Sequence, residues 1–121
     1  MARTFDSLLA ERPEKRYQEF LKTVARRGEV WTLASEVGYT TMETEDGQVL
    51  LVVFPSEKYA NAFSEGDFPE AIEVNEFMTR CREAAGDDGF GFMVFPNGRD
   101  AHIVDTLTLL KDLQDAVLNA K

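Results

Sequence analysis

The sequence predicts an α+β domain: a mostly antiparallel sheet of about five strands, with helices before, between and after the strands. Three observations carry this. Tyr17, Phe20, Leu21 and Val24 recur at i, i+3, i+4 and i+7, the mark of one buried helical face. Asp46-Gly47, between two runs of β-forming residues, is a hairpin signal. Val53-Phe54-Pro55-Ser56 and Val94-Phe95-Pro96-Asn97 read as two strands that each end in Phe-Pro, because proline has no N–H to donate to a ladder.

Residues 1–12 read as a loosely ordered lead-in to a single domain over 1–121. Pro13 suits the first turn of a helix, and Gly28 closes it after Arg26-Arg27, cations placed at its negative end. Val30 to Leu33 alternates as a strand, with Trp31 expected to be largely buried beneath the first helix. Tyr39 to Thr44 and Gln48 to Phe54 form the hairpin. Val49 to Phe54 is apolar throughout, so that strand is expected to be covered on both faces. Ser56 is placed to cap a helix through Ala62 and Phe63, closed near Gly66. Ala71 to Val74 reads as a short extended piece. Asn75 then caps a helix carrying Phe77, Met78, Cys81 and Ala85, stopped by Gly86. Asp87-Asp88-Gly89 is a turn, Phe90 to Phe95 a strand, and Asn97-Gly98 a turn into His102-Ile103-Val104. Asp105 or Thr106 caps a last helix whose stripe is Leu107, Leu110, Leu113 and Val117.

Charge is segregated along the chain. Residues 28–79 hold eleven carboxylates against one base, Lys58, whereas residues 1–28 hold seven Lys/Arg against four Asp/Glu. With a net charge of −9, a field of this sign repels nucleic acid and anionic membrane and attracts cationic partners. The single cysteine, Cys81, excludes an intramolecular disulfide framework and fits a reducing cytosol. No apolar run reaches the roughly 18 residues that span a bilayer. The N-terminus lacks the apolar segment of a secretory signal, so a cytoplasmic location is expected.

Several segments, taken in order, resemble one family. They are Arg16-Tyr17-x-x-Phe20, Gly28-Glu29-Val30-Trp31-x-Leu33, the apolar strand into Phe54-Pro55-Ser56, Ile72-x-Val74-x-Glu76-Phe77, and the strand from Gly89 to Pro96. Over about residues 14–118 the chain is similar to a family of small uncharacterised bacterial domains, domain of unknown function 2750. The helix followed by Gly-Glu-Val-Trp-x-Leu is the most specific part. The resemblance implies an α+β fold and assigns no catalytic residue.

Chemistry-bearing sets are few. His102 is the lone histidine, so a nucleophile would have to be Cys81 or Ser56 paired with it. The helical spacing of Cys81 with Met78 and Ala85 favours a buried structural thiol, and His102 beside Asp100 reads as a partly exposed strand residue. Zinc favours clustered Cys and His, and the chain has one of each, so a zinc site is not expected. Asp87-Asp88-Gly89 and Glu43-x-Glu45-Asp46-Gly47 lack the spacing of a calcium loop and read as turns. Arg12, Lys15, Arg16, Lys22, Arg26 and Arg27 form a basic stretch that reads as a solvated helix face. Without aromatics interleaved on that face, nucleic-acid binding is disfavoured. Trp31, Tyr39, Tyr59, Phe63 and Phe68 are the aromatics to watch: most belong to a core, but two or three on an open sheet face would make a carboxylate-rimmed patch.

The expected function is therefore a non-enzymatic interaction module whose acidic face binds a basic protein. That face comprises Glu43, Glu45, Asp46, Glu65, Asp67, Glu70 and Glu73. An immunity protein or a small adaptor fits this, with no cofactor and no metal. A pocket using carboxylates with His102 is the alternative, and a nucleic-acid mimic a third reading.

Overall fold

The computed structural model describes residues 7–87 and 89–120, so the expected lead-in is described only from Ser7, where Ser7–Ala10 makes one 3-10 turn. Pro13 opens helix α1 (Pro13–Arg27), and Gly28 ends it at φ 82°, its N–H donating to Val24 O at 2.8 Å. A left-handed residue there needs glycine. Strand β1 (Glu29–Ser35) turns into β2 (Gly38–Tyr39). At Thr40 the strand expected from Tyr39 to Thr44 breaks, because the Thr40 N–H donates back to Leu33 O at 2.8 Å. Its second half, β3 (Thr41–Glu43), pairs with β4 (Val49–Phe54) instead. The hairpin between them closes through Thr44 N–H to Gln48 O and Gly47 N–H to Thr44 O. Helix α2 (Glu57–Phe63) follows, then β5 (Phe68–Glu73), α3 (Val74–Ala84), β6 (Phe90–Val94), β7 (His102–Asp105) and α4 (Thr106–Asn119).

The described residues thus form four α-helices and a seven-stranded mixed sheet, not a mostly antiparallel sheet of about five strands. Its spine runs β2-β1-β4-β6-β7, with β3 added to β4 and β5 to β1. The β4–β6 pair is parallel, Val49 to Val53 lying beside Phe90 to Val94. Those two strands run the same way because α2, β5 and α3 carry the chain back to the starting edge between them. The two Phe-Pro ends therefore lie side by side. They differ in conformation, since Phe54 stays extended in its strand whereas Phe95 takes φ 54°, with its N–H on Val53 O at 2.8 Å. Gly91 in β6 has little room beside β7, since a side chain there would meet Val104 O at 3.0 Å.

Helices α1, α4 and α3 form one layer over the sheet, with α4 packed between the other two. Under it lie Phe20, Val24, Val30, Val53, Phe77, Val94, Leu109 and Leu113. Among the described residues the opposite face carries only α2, over Leu33, Val52 and Phe54. Strand β4 is accordingly buried on both faces, as its unbroken apolar run requires. Trp31 lies on the α2 side rather than under the first helix and is half-buried, its indole N–H donating to Glu29 Oε1 at 3.0 Å. Three helix details also differ from expectation. Glu73, not Asn75, caps α3, because starting there buries Val74 with Phe77. Ser56 precedes α2 without a side-chain capping bond. Leu107 stands 59% exposed, and Thr106, Leu109, Leu110 and Leu113 are the buried residues of α4. Among the described residues no helix is long and apolar enough to cross a membrane.

Candidate functional site

The seven acidic residues singled out in the sequence take up different local duties. At the β3–β4 turn, Glu45 and Asp46 are exposed, and Asp46 accepts from the Thr44 hydroxyl, which with the Gln48 backbone holds its carboxyl below the usual range. Glu43 is exposed opposite Val49. Glu65 is exposed in the loop after α2. In the same loop Asp67 accepts from the Thr40 hydroxyl and so ties the β2–β3 corner to the approach of β5. Glu70 accepts from Tyr39 Oη at 3.0 Å. Glu73 caps α3 through the Glu76 N–H at 3.0 Å and also accepts from Asn75.

Alternation along the strands sorts these residues by face. Ala34 pairs with both Tyr39 and Phe68, so the three side chains form one row on the helix-layer side of the sheet. Glu70 and Ile72 belong to the same face two and four residues on, and Glu43 joins it through its pairing beside the Thr41–Leu51 pair. Phe68 is 65% exposed in this row. Glu43 and Glu70 therefore share a face, Glu45 and Asp46 sit at the hairpin tip, and Glu73 is committed to a helix end.

Beside Tyr39 this face opens into an apolar cavity of about 400 Å³. Leu51, Ile72, Phe77, Cys81 and Phe92 wall it, with Tyr39, Arg80 and Phe90 nearer the mouth. Across the mouth runs a chain of polar contacts. Arg80 pairs with Glu76 and donates to Tyr39 Oη at 2.9 Å, while Tyr39 donates to Glu70. The Arg80 guanidinium also stands 5.8 Å from the Tyr39 ring centre. Its pKa is raised, first by the Tyr39 hydrogen bond and then by Glu76, so it stays charged. Sequence reasoning named Tyr39 and Glu70 separately and left out Arg80. The signal available was Glu76 four residues before Arg80, a helical ion-pair spacing.

The nucleophile arrangement does not assemble. Cys81 lies in the helix-layer core, and burial pushes its thiol up to about 12. His102 stacks on Tyr17 with ring centres 4.2 Å apart, and Tyr17 Oη donates to Asp112 at 2.6 Å. Ser56 stands at the end of β4, and no contact joins these three among the described residues. No cluster of three His, Cys, Asp or Glu side chains among those residues could hold a metal ion. The basic stretch divides. Lys22 and Arg26 line a groove of mixed polarity between α1 and α4 together with Asp112 and Asp115. Arg16 is fully buried, in contrast to the solvated face expected of it. Its Nε donates to Phe95 O at 2.9 Å, Nη2 to Asp100 O at 2.9 Å and Oδ1 at 2.6 Å, and Nη1 to Glu11 O.

Comparison with the curated proteins and with the solved structures finds no significant match. The family model described as a protein of unknown function (DUF2750) matches residues 17–113, a span from the second turn of α1 to the last buried leucine of α4. It takes in β1 to β7 and the cavity beside Tyr39, and the chain belongs to this family.

Proposed function

We propose that the chain is a non-enzymatic interaction module that receives a net-basic protein partner, in the manner of an immunity protein or a small regulatory adaptor. In this reading it acts in the cytoplasm, without cofactor or metal and without contact to nucleic acid or membrane. The observation that carries it is Phe68: a large aromatic side chain, 65% exposed on an edge strand, in one row with Ala34 and Tyr39. Glu70 lies within that face, and Glu65 and Asp67 stand in the loop just before it. An aromatic anchor with a polar rim is the anatomy of an interface centre, and a rim of one sign steers an oppositely charged partner.

The test uses the intact chain as immobilised bait in an extract of its source cells, followed by kinetics with the protein retained. That protein should be net basic. Its association should slow as salt rises from about 0.1 M to about 1 M, where the Debye length falls from about 10 Å to about 3 Å. Phe68→Ser combined with Glu65→Lys should abolish capture, and Glu45→Lys at the hairpin tip should leave it intact. A partner held equally by the Phe68 variant, or one with salt-independent kinetics, overturns the reading.

A further inference from the structure

We infer that the cavity beside Tyr39 is a binding site for a small apolar amine. The body of the ligand would rest against Leu51, Ile72, Phe77 and Phe92, and its ammonium would be held at the mouth by Tyr39, Glu70 and Glu76. The inference rests on the cavity and its mouth, not on Phe68 or on the partner reading.

Size and polarity come first. A volume of about 400 Å³ falls within the range of small-ligand pockets, and its lining is apolar apart from Tyr39, Thr41, Arg80 and the Cys81 thiol, with Glu70 and Glu76 bound to Tyr39 and Arg80 rather than lining it. An apolar body with a single polar end matches that division. Charge then selects the end. The mouth chain holds two carboxylates, Glu70 and Glu76, against one guanidinium, and Glu43 lies on the same face. An anion would have to take Arg80 from Glu76 in a field of the wrong sign, whereas an ammonium would replace Arg80 at the acceptors it now occupies. The Tyr39 ring supplies a third attraction, since a cation near an aromatic face is stabilised by the ring quadrupole. The protein already demonstrates the fit with its own cation: Arg80 lies 5.8 Å from the Tyr39 ring centre and contacts both Tyr39 Oη and Glu76. Arg80 is 47% exposed, so its side chain can turn to solvent as a ligand ammonium takes its place.

The experiment titrates 2-phenylethylamine, 3-phenylpropionate and 2-phenylethanol into the intact protein and follows methyl NMR signals of Leu51, Ile72 and Ala84. A fragment of this size binds at about 1 mM in a well-fitted pocket, so the amine should shift these methyls at about that concentration. The carboxylate should not shift them at about 10 mM, and the alcohol should bind more weakly than the amine. Arg80→Gln removes the resident cation and should tighten amine binding, by roughly five-fold, while Glu70→Gln with Glu76→Gln should weaken it by at least that factor. Ala84→Leu, at the rim, should fill the opening and abolish the shifts in a folded protein. Phe68→Ser should leave amine binding unchanged, which separates this site from the partner face. Binding of the carboxylate in preference to the amine, no binding by any probe, or weaker amine binding in the Arg80 variant overturns the inference.

Discussion

Arg16 is a cation with no exposed surface, and its guanidinium ties the start of α1 to the loop after β6. Phe95 is the reason such a tie is needed. At φ 54° a bulky residue is strained by about 1–3 kcal/mol, and its carbonyl is fixed by Arg16 Nε while its N–H is fixed by Val53. Removing the cation strands the carbonyls of Phe95 and Asp100, so Arg16→Met should cost about 2–3 kcal/mol in urea unfolding. Arg16→Lys should recover only part of this, because an ammonium cannot span the fork of acceptors. Asp100→Asn should cost least, since that side chain is half-exposed. An Arg16→Met protein as stable as the parent would show that the network contributes nothing net. Cys81 gives a second test at this scale. A thiol raised to about 12 by burial is un-ionised at neutral pH, and the nearby Arg82 only partly offsets that. Native protein should therefore leave a disulfide reagent unconsumed over hours and react at once in urea. The buried thiol was legible from the spacing of Cys81 with Met78, but buried Arg16 was hidden among six basic residues. Its one signal was position, four residues before Phe20 on the same helical line.

Helix ends show how local chemistry sets each element. Asp105 precedes α4, and its carboxylate accepts from the Thr108 N–H at 2.7 Å, so of the two caps the sequence offered, Asp105 and Thr106, it is Asp105 that serves. That contact holds its pKa below the usual carboxylate value, the backbone bond to Thr108 first and the side-chain bond second. A depressed folded pKa contributes stability above the unfolded value, roughly 3.9, and loses it as pH falls through the folded one. Asp105→Ala should thus cost about 1 kcal/mol at neutral pH, with the gap to the parent narrowing steadily below about pH 4. A gap independent of pH would mean the cap acts through packing alone. Glu73 holds the same post on α3, so reversing it to Lys tests stability as well as charge, and Glu65 is the cleaner position for probing recognition. Strand β5 was the element least readable from sequence. Of its six residues only Ile72 is buried, and Pro69 interrupts its donors, so only Ala71 to Val74 read as extended and the start of the strand at Phe68 went unmarked. The exposed Phe68 that anchors the proposed partner face sits in that stretch. By contrast α1, the β3–β4 hairpin and the cap of α4 were legible because periodicity, turn chemistry and capping agreed there.

At the scale of the molecule, strand direction is what the sequence withheld. The matched Val-Phe-Pro ends of β4 and β6 hinted at equivalence, yet no local pattern states that two strands 41 residues apart in register, Val53 and Val94, run parallel. Their pairing depends on where α2, β5 and α3 return the chain, a tertiary outcome. It makes β4 the centre of the structure: β1 and β3 pair on one side of it, β6 on the other, and both faces are covered, by the three-helix layer and by α2. Strand β5 pairs only with β1 among the described strands, and residues on it face solvent. Amide hydrogen exchange reports this difference, because a central strand opens only when the whole fold opens, whereas an edge opens locally. The ladder amides of Leu51 and Val53, which alternation from the Val49 N–H to Gly89 O bond turns toward β6, should exchange slowest, with a denaturant dependence equal to that of global unfolding. Those of Phe68 and Glu70 should exchange faster, with little denaturant dependence. If the β4 amides exchange as fast as those of β5, or through a local opening, the parallel β4–β6 pair is not the cooperative centre of this fold.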